Sequence, residues 1–383
     1  MISVPKPKYD GEYRVGVIAG DLNGITVTSA VLELYPYLER HLSMPIRHIH
    51  YPYNADYFNE RDINELGDEE LEVLAQNDQL YLGAVGDPTK IKPGVLEVGI
   101  LLKLRQAFDQ YVNLRPVILQ EGIPSIIVGK TSKDINFEIC RENSEGLYVA
   151  QGEVLNRGTD DEVGIQKMVC SYRGVKRLAE FAADRALDRK ERRTNRTPRL
   201  HFAFKTNILT FAAVPWERVY KEFSSRTDLD VRYIHVDNLM MQMVLAPEQF
   251  DVILTENMFG DIATDLGAVI QGGIGSAVSG NINPSGRFPS MFEPIHGSAP
   301  DKWYNSIDGK LIAGTKREDL IQRVRPEAAF MSYAMMLEQM GEKKAADLLK
   351  EAALANLRDP DYKQKNLDEL INQTIKYIST SAV

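Results

Sequence analysis

Residues 13–21 read Tyr13-Arg14-Val15-Gly16-Val17-Ile18-Ala19-Gly20-Asp21, an apolar, β-branched run ended by a Gly-Asp turn. The run Tyr13–Ala19 predicts a buried strand. After it, Ser29–His41 carries Leu32, Leu34, Tyr35 and Leu38 at helical spacing. Gln79–Val85 predicts a second buried strand, closed by Gly86-Asp87-Pro88. Gly99–Tyr111 reads as a helix with Leu101, Leu102, Leu104 and Phe108 facing inward. Pro116–Leu119, Ser125–Val128 and Asp251–Thr255 are three further short strands, the last running into a helix over Asp261–Gln271. Strands that alternate with helices indicate an α/β fold with a mostly parallel core. No internal repeat or low-complexity segment interrupts the pattern.

The composition agrees with that class. The 383 residues suggest two or three compact units, and 44% hydrophobic with 26% charged residues excludes extensive disorder. Lys+Arg 45 against Asp+Glu 54 leaves a net charge of −9, which argues against nucleic acid as a partner. Cys140 and Cys170 are too few for a disulfide framework or a four-cysteine zinc site and fit a reducing compartment. No apolar run approaches the ~18–20 residues of a membrane span, and Met1–Asp10 has no hydrophobic h-region. A soluble, cytoplasmic protein is expected. The cations Arg185, Arg189, Lys190, Arg192, Arg193, Arg196 and Arg199 read as a solvated helix end followed by a turn over Thr194–Pro198, favoured by the helix dipole, rather than as a polyanion site.

Two nucleotide motifs fail on spacing. Gly129-Lys130-Thr131 lacks the upstream glycine a phosphate loop needs, and no Gly-x-Gly-x-x-Gly occurs, so the standard Rossmann fingerprint is absent. His48 and His50 would share a strand face, but without a third ligand nearby they read as ordinary histidines. Asp261 and Asp265 are more informative. Their i, i+4 spacing puts both carboxylates on one helix face, where they repel unless a cation sits between them. A hard divalent ion suits such oxygen ligands, while an acid-rich first helical turn explains the same pair without a metal. Arg105, Arg115 and Arg141, embedded in apolar segments, call for anionic partners, which a small di- or tricarboxylate or internal carboxylates could supply.

Taken in order, these segments resemble the isocitrate/isopropylmalate dehydrogenase family of metal-dependent β-decarboxylating dehydrogenases. The stretch Leu101–Pro116 is especially similar to the tartrate/D-malate dehydrogenase branch. Further matching blocks are Leu82–Pro88, Arg141–Tyr148, Phe204-Lys205-Thr206-Asn207, Val236-Asp237, the Asp261/Asp265 helix, Asn281–Pro284 and Phe292–Asp301. The resemblance implies a two-lobed isopropylmalate-dehydrogenase-like fold, with a large cofactor-binding lobe from residues 1–110 and 272–383. A small lobe, residues 111–271, would carry a dimerisation arm. Arg105, Arg115 and Arg141 would clamp the substrate's carboxylates, with Val98 and Leu101 lining the substrate position. Asp261 and Asp265, joined by Asp237 across a homodimer interface, would bind Mg²⁺ or Mn²⁺. Lys205, also from across the interface, would act as the base and Tyr148 as the acid. Glu293, His296, Gly297, Ser298, Ala299 and Asp301 would bind NAD, and Asp301 favours NAD over NADP because an acid repels a 2′-phosphate.

The implied reaction is oxidative decarboxylation of a D-malate-type 2-hydroxy dicarboxylic acid: D-malate, tartrate, or a 3-substituted malate such as isopropylmalate. Val98 stands where the tartrate/D-malate branch commonly has Trp, which leaves room for a substituent. Departures from the family pattern cluster at Leu22-Asn23, at Ile25-Thr26, in residues inserted after Asp301 through Ser306, and over residues 309–325. By the resemblance these flank the cofactor's adenosine half, so NAD binding weaker than in typical relatives is expected. Two other readings are a non-catalytic or regulatory homologue, and a metal-dependent decarboxylase without net redox chemistry.

Overall fold

The computed structural model describes residues 7–190, 196–304, 311–312 and 315–381. The chain divides into two compact units. One is Gln110–Gln271, and the other joins the described residues up to Asp109 with those from Gly272 onward.

The discontinuous unit begins with strands β1 (Tyr13–Gly20), β2 (Ile46–Tyr51) and β3 (Gln79–Ala84), with β1 parallel to both of the others. Every side chain of β3 is buried, which is why the run lacks the polar alternation of a one-sided strand. The first helix spans Asn23–Leu38, not Ser29–His41; a 3-10 turn, Glu39–His41, follows it. Its early turns hold Gly24, Thr26, Val27 and Thr28, poor helix formers that are nonetheless buried, so tertiary packing overrides propensity. The helix expected over Gly99–Tyr111 is a π-helical turn, Glu97–Leu102, that runs into a short α-helix, Lys103–Ala107. Gly99 is required there, since a Cβ would stand 2.2 Å from the Asn64 carbonyl oxygen.

The contiguous unit opens with β4 (Val112–Ile118) and β5 (Asn136–Glu142), an antiparallel pair in which Asn113 faces Arg141. A separate hairpin, β6 (Gly152–Leu155) with β7 (Val163–Gln166), has every residue exposed. The sheet continues through β8 (Arg199–Phe204), β9 (Asp230–His235) and β10 (Val252–Thr255), where β10 lies parallel between β5 and β8. Helices Val236–Leu245 and Asn257–Ile270 close one apolar cluster over it, including Phe137, Ile139, Leu239, Met243, Phe250 and Ile253. The helix expected from Asp261 therefore starts at Asn257, where the Glu256 side chain caps it by accepting from the Phe259 amide.

Two expectations fail in this unit. Ser125–Val128 is not a strand but a series of bends and turns. Pro124, which has no amide donor, and Gly129 at φ 78° bracket the run, and it pairs with no strand. The cation run is not a solvated helix end either. Arg185 and Arg189 both grip buried Glu138, Arg196 pairs with buried Asp251 at 2.9 Å, and Arg199 approaches Asp230 at 3.5 Å. Arg192 and Arg193 lie outside the described residues.

Returning to the first unit, the chain forms β11 (Val278–Ile282) and β12 (Ser290–Pro294), and β12 runs parallel to β3. Because β1, β3 and β12 are mutually parallel, their carboxyl ends share one edge of this unit's sheet. Helix Glu327–Gln339, almost wholly buried, packs on these strands, and Lys343–Arg358 and Leu367–Thr380 complete the layer. Among the described residues, no helix is long and apolar enough to cross a membrane.

Candidate active site

In the contiguous unit, sheet register brings the two arginines together. Asn113 and Arg115 lie two apart on β4 and so share a face, and Asn113 is directly opposite Arg141 on β5. Arg115 Nε donates to Asn113 Oδ1 at 2.9 Å. Helix Asn257–Ile270 packs against β4 and β5 by means of two glycines seven residues apart. A Cβ on Gly260 would lie 2.5 Å from Arg141 Cγ, and one on Gly267 would lie 2.6 Å from Val117 Cγ2. Neither position tolerates a side chain without movement.

This close approach delivers Asn257, Asp261 and Asp265 to the arginines. Arg141 is only 2% exposed at its side chain, and its Nε and one terminal nitrogen donate to Asn257 Oδ1 at 3.0 and 2.8 Å. Its other terminal nitrogen pairs with Asp261 Oδ1. The Tyr148 hydroxyl donates to Asp261 Oδ2 at 3.0 Å. Burial, followed by the Asp261 charge, raises the Tyr148 pKa, so the phenol holds its proton. Burial and then Asp261 also raise the pKa of Asp265, while Arg115 and Arg141 hold it down. Arg141 thus places one cation against Asp261, while the Asp261 charge still acts on Asp265. Tyr148 is placed by a turn in which Gly146 adopts φ 88° and leaves room for the Glu256 carboxylate. Sequence reasoning missed Asn257, Gly260 and Glu256; a glycine inside an otherwise helical run was the available signal.

Lys205, just beyond β8, and Asp237, in the first turn of Val236–Leu245, form their own pair at 2.8 Å. The Lys205 ammonium is the main cause of a lowered Asp237 pKa. Among the described residues, no three His, Cys, Asp or Glu side chains gather as a metal cluster. A single chain therefore brings Asp261 and Asp265 together and leaves Asp237 with Lys205.

In the discontinuous unit, Arg105 is buried and pairs with Glu293 at 3.3 Å, while its Nε has no hydrogen-bond partner. Glu293 also accepts from Asn281 Nδ2 at 2.8 Å. The π-helical turn carries Val98, 48% exposed and apolar, next to partly buried Leu101. At the carboxyl edge of β1, β3 and β12 lie Asp21, Gly86 and the segment His296-Gly297-Ser298-Ala299. Asp21 accepts from the Gly86 and Ala55 amides at 3.0 and 3.1 Å and ties two loops together. Ser298 is buried, and buried His296 Nε2 has no partner. Asp301 is exposed beside Lys302. His48 donates to or accepts from the Tyr333 hydroxyl at 2.7 Å, and burial lowers its pKa to about 4, a packed role rather than a ligand's.

The profile of the isocitrate/isopropylmalate dehydrogenase family matches residues 14–383. This chain belongs to that family. The 3-isopropylmalate dehydrogenase of Clavibacter michiganensis subsp. michiganensis is 43% identical over 311 residues, 80% of this chain and 81% of that protein. The one from Corynebacterium jeikeium is 38% identical over 349 residues, 91% of this chain and 94% of that protein. The crystal structure of isocitrate dehydrogenase from Methylococcus capsulatus is similar with a TM-score of 0.76 at 26% identity, covering 96% of this chain and all of that one. The protein is accordingly a β-decarboxylating dehydrogenase by family, with the family's mixed α/β fold.

Proposed function

We propose that this protein oxidises and decarboxylates a D-malate-type 2-hydroxy dicarboxylic acid bearing a compact apolar substituent at C3, using NAD and Mg²⁺ or Mn²⁺. The carrying observation is the Arg141–Asp261–Tyr148 cluster, which sets an anion-binding cation, hard oxygen ligands and a protonated phenol side by side. Val98 and Leu101 supply an apolar surface for the substituent, and the relatives named 3-isopropylmalate dehydrogenase support the same class. D-malate, unsubstituted at C3, and tartrate, with a hydroxyl there, are the alternatives.

The donor set fits both groups. Asp261 and Asp265 offer oxygen ligands whose mutual repulsion a divalent ion would relieve, with Asp237 as the third acid. His296, with its unsatisfied ring nitrogen, joins Gly297, Ser298, Ala299, Asp301 and Glu293 in the proposed NAD-binding set. When bound, NAD accepts a hydride and the metal acts as a Lewis acid. The chain's own residues do the rest. Arg105, Arg115 and Arg141 hold substrate carboxylates by charge-assisted bonds. Lys205 Nζ takes the 2-hydroxyl proton, and Tyr148 donates a proton to carbon after carbon dioxide leaves. Asp261, by accepting from Tyr148, orients that phenol until it is needed.

The working unit is proposed to be a homodimer in which Lys205 and Asp237 act across the interface. The β6–β7 hairpin supports this reading, since a lone exposed two-stranded ribbon is marginal in water and gains stability under a second copy. Cys140 and Cys170 stay as free thiols, in keeping with a cytoplasmic enzyme. The test is a panel of D-malate, tartrates and 3-alkyl malates with Mn²⁺ and either NAD or NADP, followed by nicotinamide absorbance. The highest kcat/KM is expected for a 3-alkyl malate with NAD. Turnover of no 2-hydroxy diacid would overturn the reading in favour of a non-catalytic homologue, and carbon dioxide release without NADH in favour of a simple decarboxylase.

A further inference from the structure

The segments that depart from the family pattern touch each other. The Trp303 indole Nε1–H donates to Asn23 Oδ1 at 2.8 Å across 280 residues of sequence. Trp303 is buried at 2% exposure, and the Arg317 guanidinium lies 5.5 Å from the centre of its ring. The Trp303 carbonyl accepts from the Ile312 amide at 3.1 Å. The main chain adds a second tie, in which the Asn23 amide donates to the Ser298 carbonyl at 3.4 Å. Two non-glycine residues on the two sides take left-handed backbone, Leu22 at φ 49° and Ala299 at φ 52°. Such conformations persist only where the surroundings enforce them. All of this sits at the carboxyl edge of parallel strands β1, β3 and β12, the edge where α/β sheets bind their ligands.

We propose that Trp303 is a positioning residue for the nucleotide: its bond to Asn23 makes segment 298–304 and the amino end of helix Asn23–Leu38 act as one binding element. The inference rests on the NAD reading above. Asn23 has no glycine-like freedom to approach a pyrophosphate unaided, and its side chain is instead committed to holding the opposite segment in place. Without that tie, the residues proposed to bind NAD on each side are ordered separately, and each binding event must order them anew. Trp303 itself need not touch the nucleotide.

The experiment is a binding double-mutant cycle on the full-length protein. Asn23→Leu removes the acceptor and keeps the branched outline of the side chain, Trp303→Phe removes the donor and keeps an aromatic ring, and the double variant removes both. NAD and ADP-ribose affinities are read by calorimetry without substrate, and melting temperatures are recorded alongside. One lost hydrogen bond predicts a roughly two- to tenfold higher Kd in each single variant, and no further increase in the double. Fluorescence gives an independent readout, because Trp216 is the only other tryptophan and lies in the other unit. NAD should change wild-type emission, and most of that change should vanish in Trp303→Phe. Unchanged affinity in both single variants, or effects that multiply in the double, would overturn the proposal. If Trp303→Phe fails to fold, Asn23→Leu with the emission change of the retained indole decides alone. A wild-type protein that binds neither NAD nor ADP-ribose would instead refute the cofactor reading beneath it.

Discussion

Replacing Gly260 by alanine should separate activity from stability. A helical Gly→Ala change ordinarily stabilises by about 0.5–1 kcal/mol. Here the new methyl would stand 2.5 Å from Arg141 Cγ, 2.7 Å from Cβ and 3.0 Å from Cδ. Carbon atoms prefer roughly 3.5–4.0 Å, so the arginine stem must yield by about 1 Å. Overpacking of this kind costs about 1–3 kcal/mol, which the helix gain offsets in part. The net loss should be about 0–2 kcal/mol, readable by urea unfolding. Activity should suffer more. The guanidinium is held to Asn257 by bonds of 3.0 and 2.8 Å and to Asp261, and all three move with the stem. A displacement near 1 Å at a positioning group costs on the order of 100-fold in rate. Gly260→Ala should therefore lose about 100-fold in kcat/KM with a small stability change. Gly267→Ala is the control, because its methyl meets Val117 Cγ2 at 2.6 Å and not Arg141. It should lose comparable stability and far less activity. Equal activities for the two variants would refute the idea that the helix approach positions Arg141.

The remaining predictions concern pH. Burial alone would push the Glu138 pKa up, but Arg185 and Arg189 outweigh it and hold the folded value at about 2. A depressed folded value stabilises fully above the unfolded value near ~4.3 and is lost as pH falls toward 2. Glu138→Gln should cost about 3–5 kcal/mol at pH 7 and flatten the acid limb of stability between about pH 4 and 2; an unchanged limb in urea titrations would refute it. Glu142 is the opposite case, since burial lifts its pKa to about 7 while the Ser144 hydroxyl and amide and the Glu145 amide moderate the rise. The folded state then binds the extra proton between about pH 4.5 and 7, so stability falls as pH rises through that window. Glu142→Gln should gain on wild type from about pH 5 to 7 and level off above that by urea unfolding, and a constant difference would refute the assignment.

What was legible in the sequence was local, and what was not depended on register. The apolar runs at Tyr13–Gly20 and Gln79–Ala84 show as strands because burial on both faces needs no partner-specific information. The i, i+4 spacing of Asp261 and Asp265 shows a shared helix face for the same reason. Apolarity alone misleads at Ile126, Ile127 and Val128, where Val128 is almost fully exposed and no strand pairs. Cations mislead at Arg185 and Arg189, because Glu138, their shared partner, is some fifty residues away. The Arg141–Asp261 pair spans 120 residues and arises only when Asn113 registers against Arg141 and Gly260 lets the helix down onto β5. The cofactor-side departures make the same point more sharply. Read along the chain, Leu22-Asn23 and the residues after Asp301 are two unrelated losses of family pattern. In three dimensions Asn23 and Trp303 are hydrogen-bonded partners, so the two stretches are joined rather than independent. If these stretches bind the nucleotide as proposed, that bond supplies internal support to the pocket. That is why the altered loops weigh less against a working enzyme than their sequences suggest.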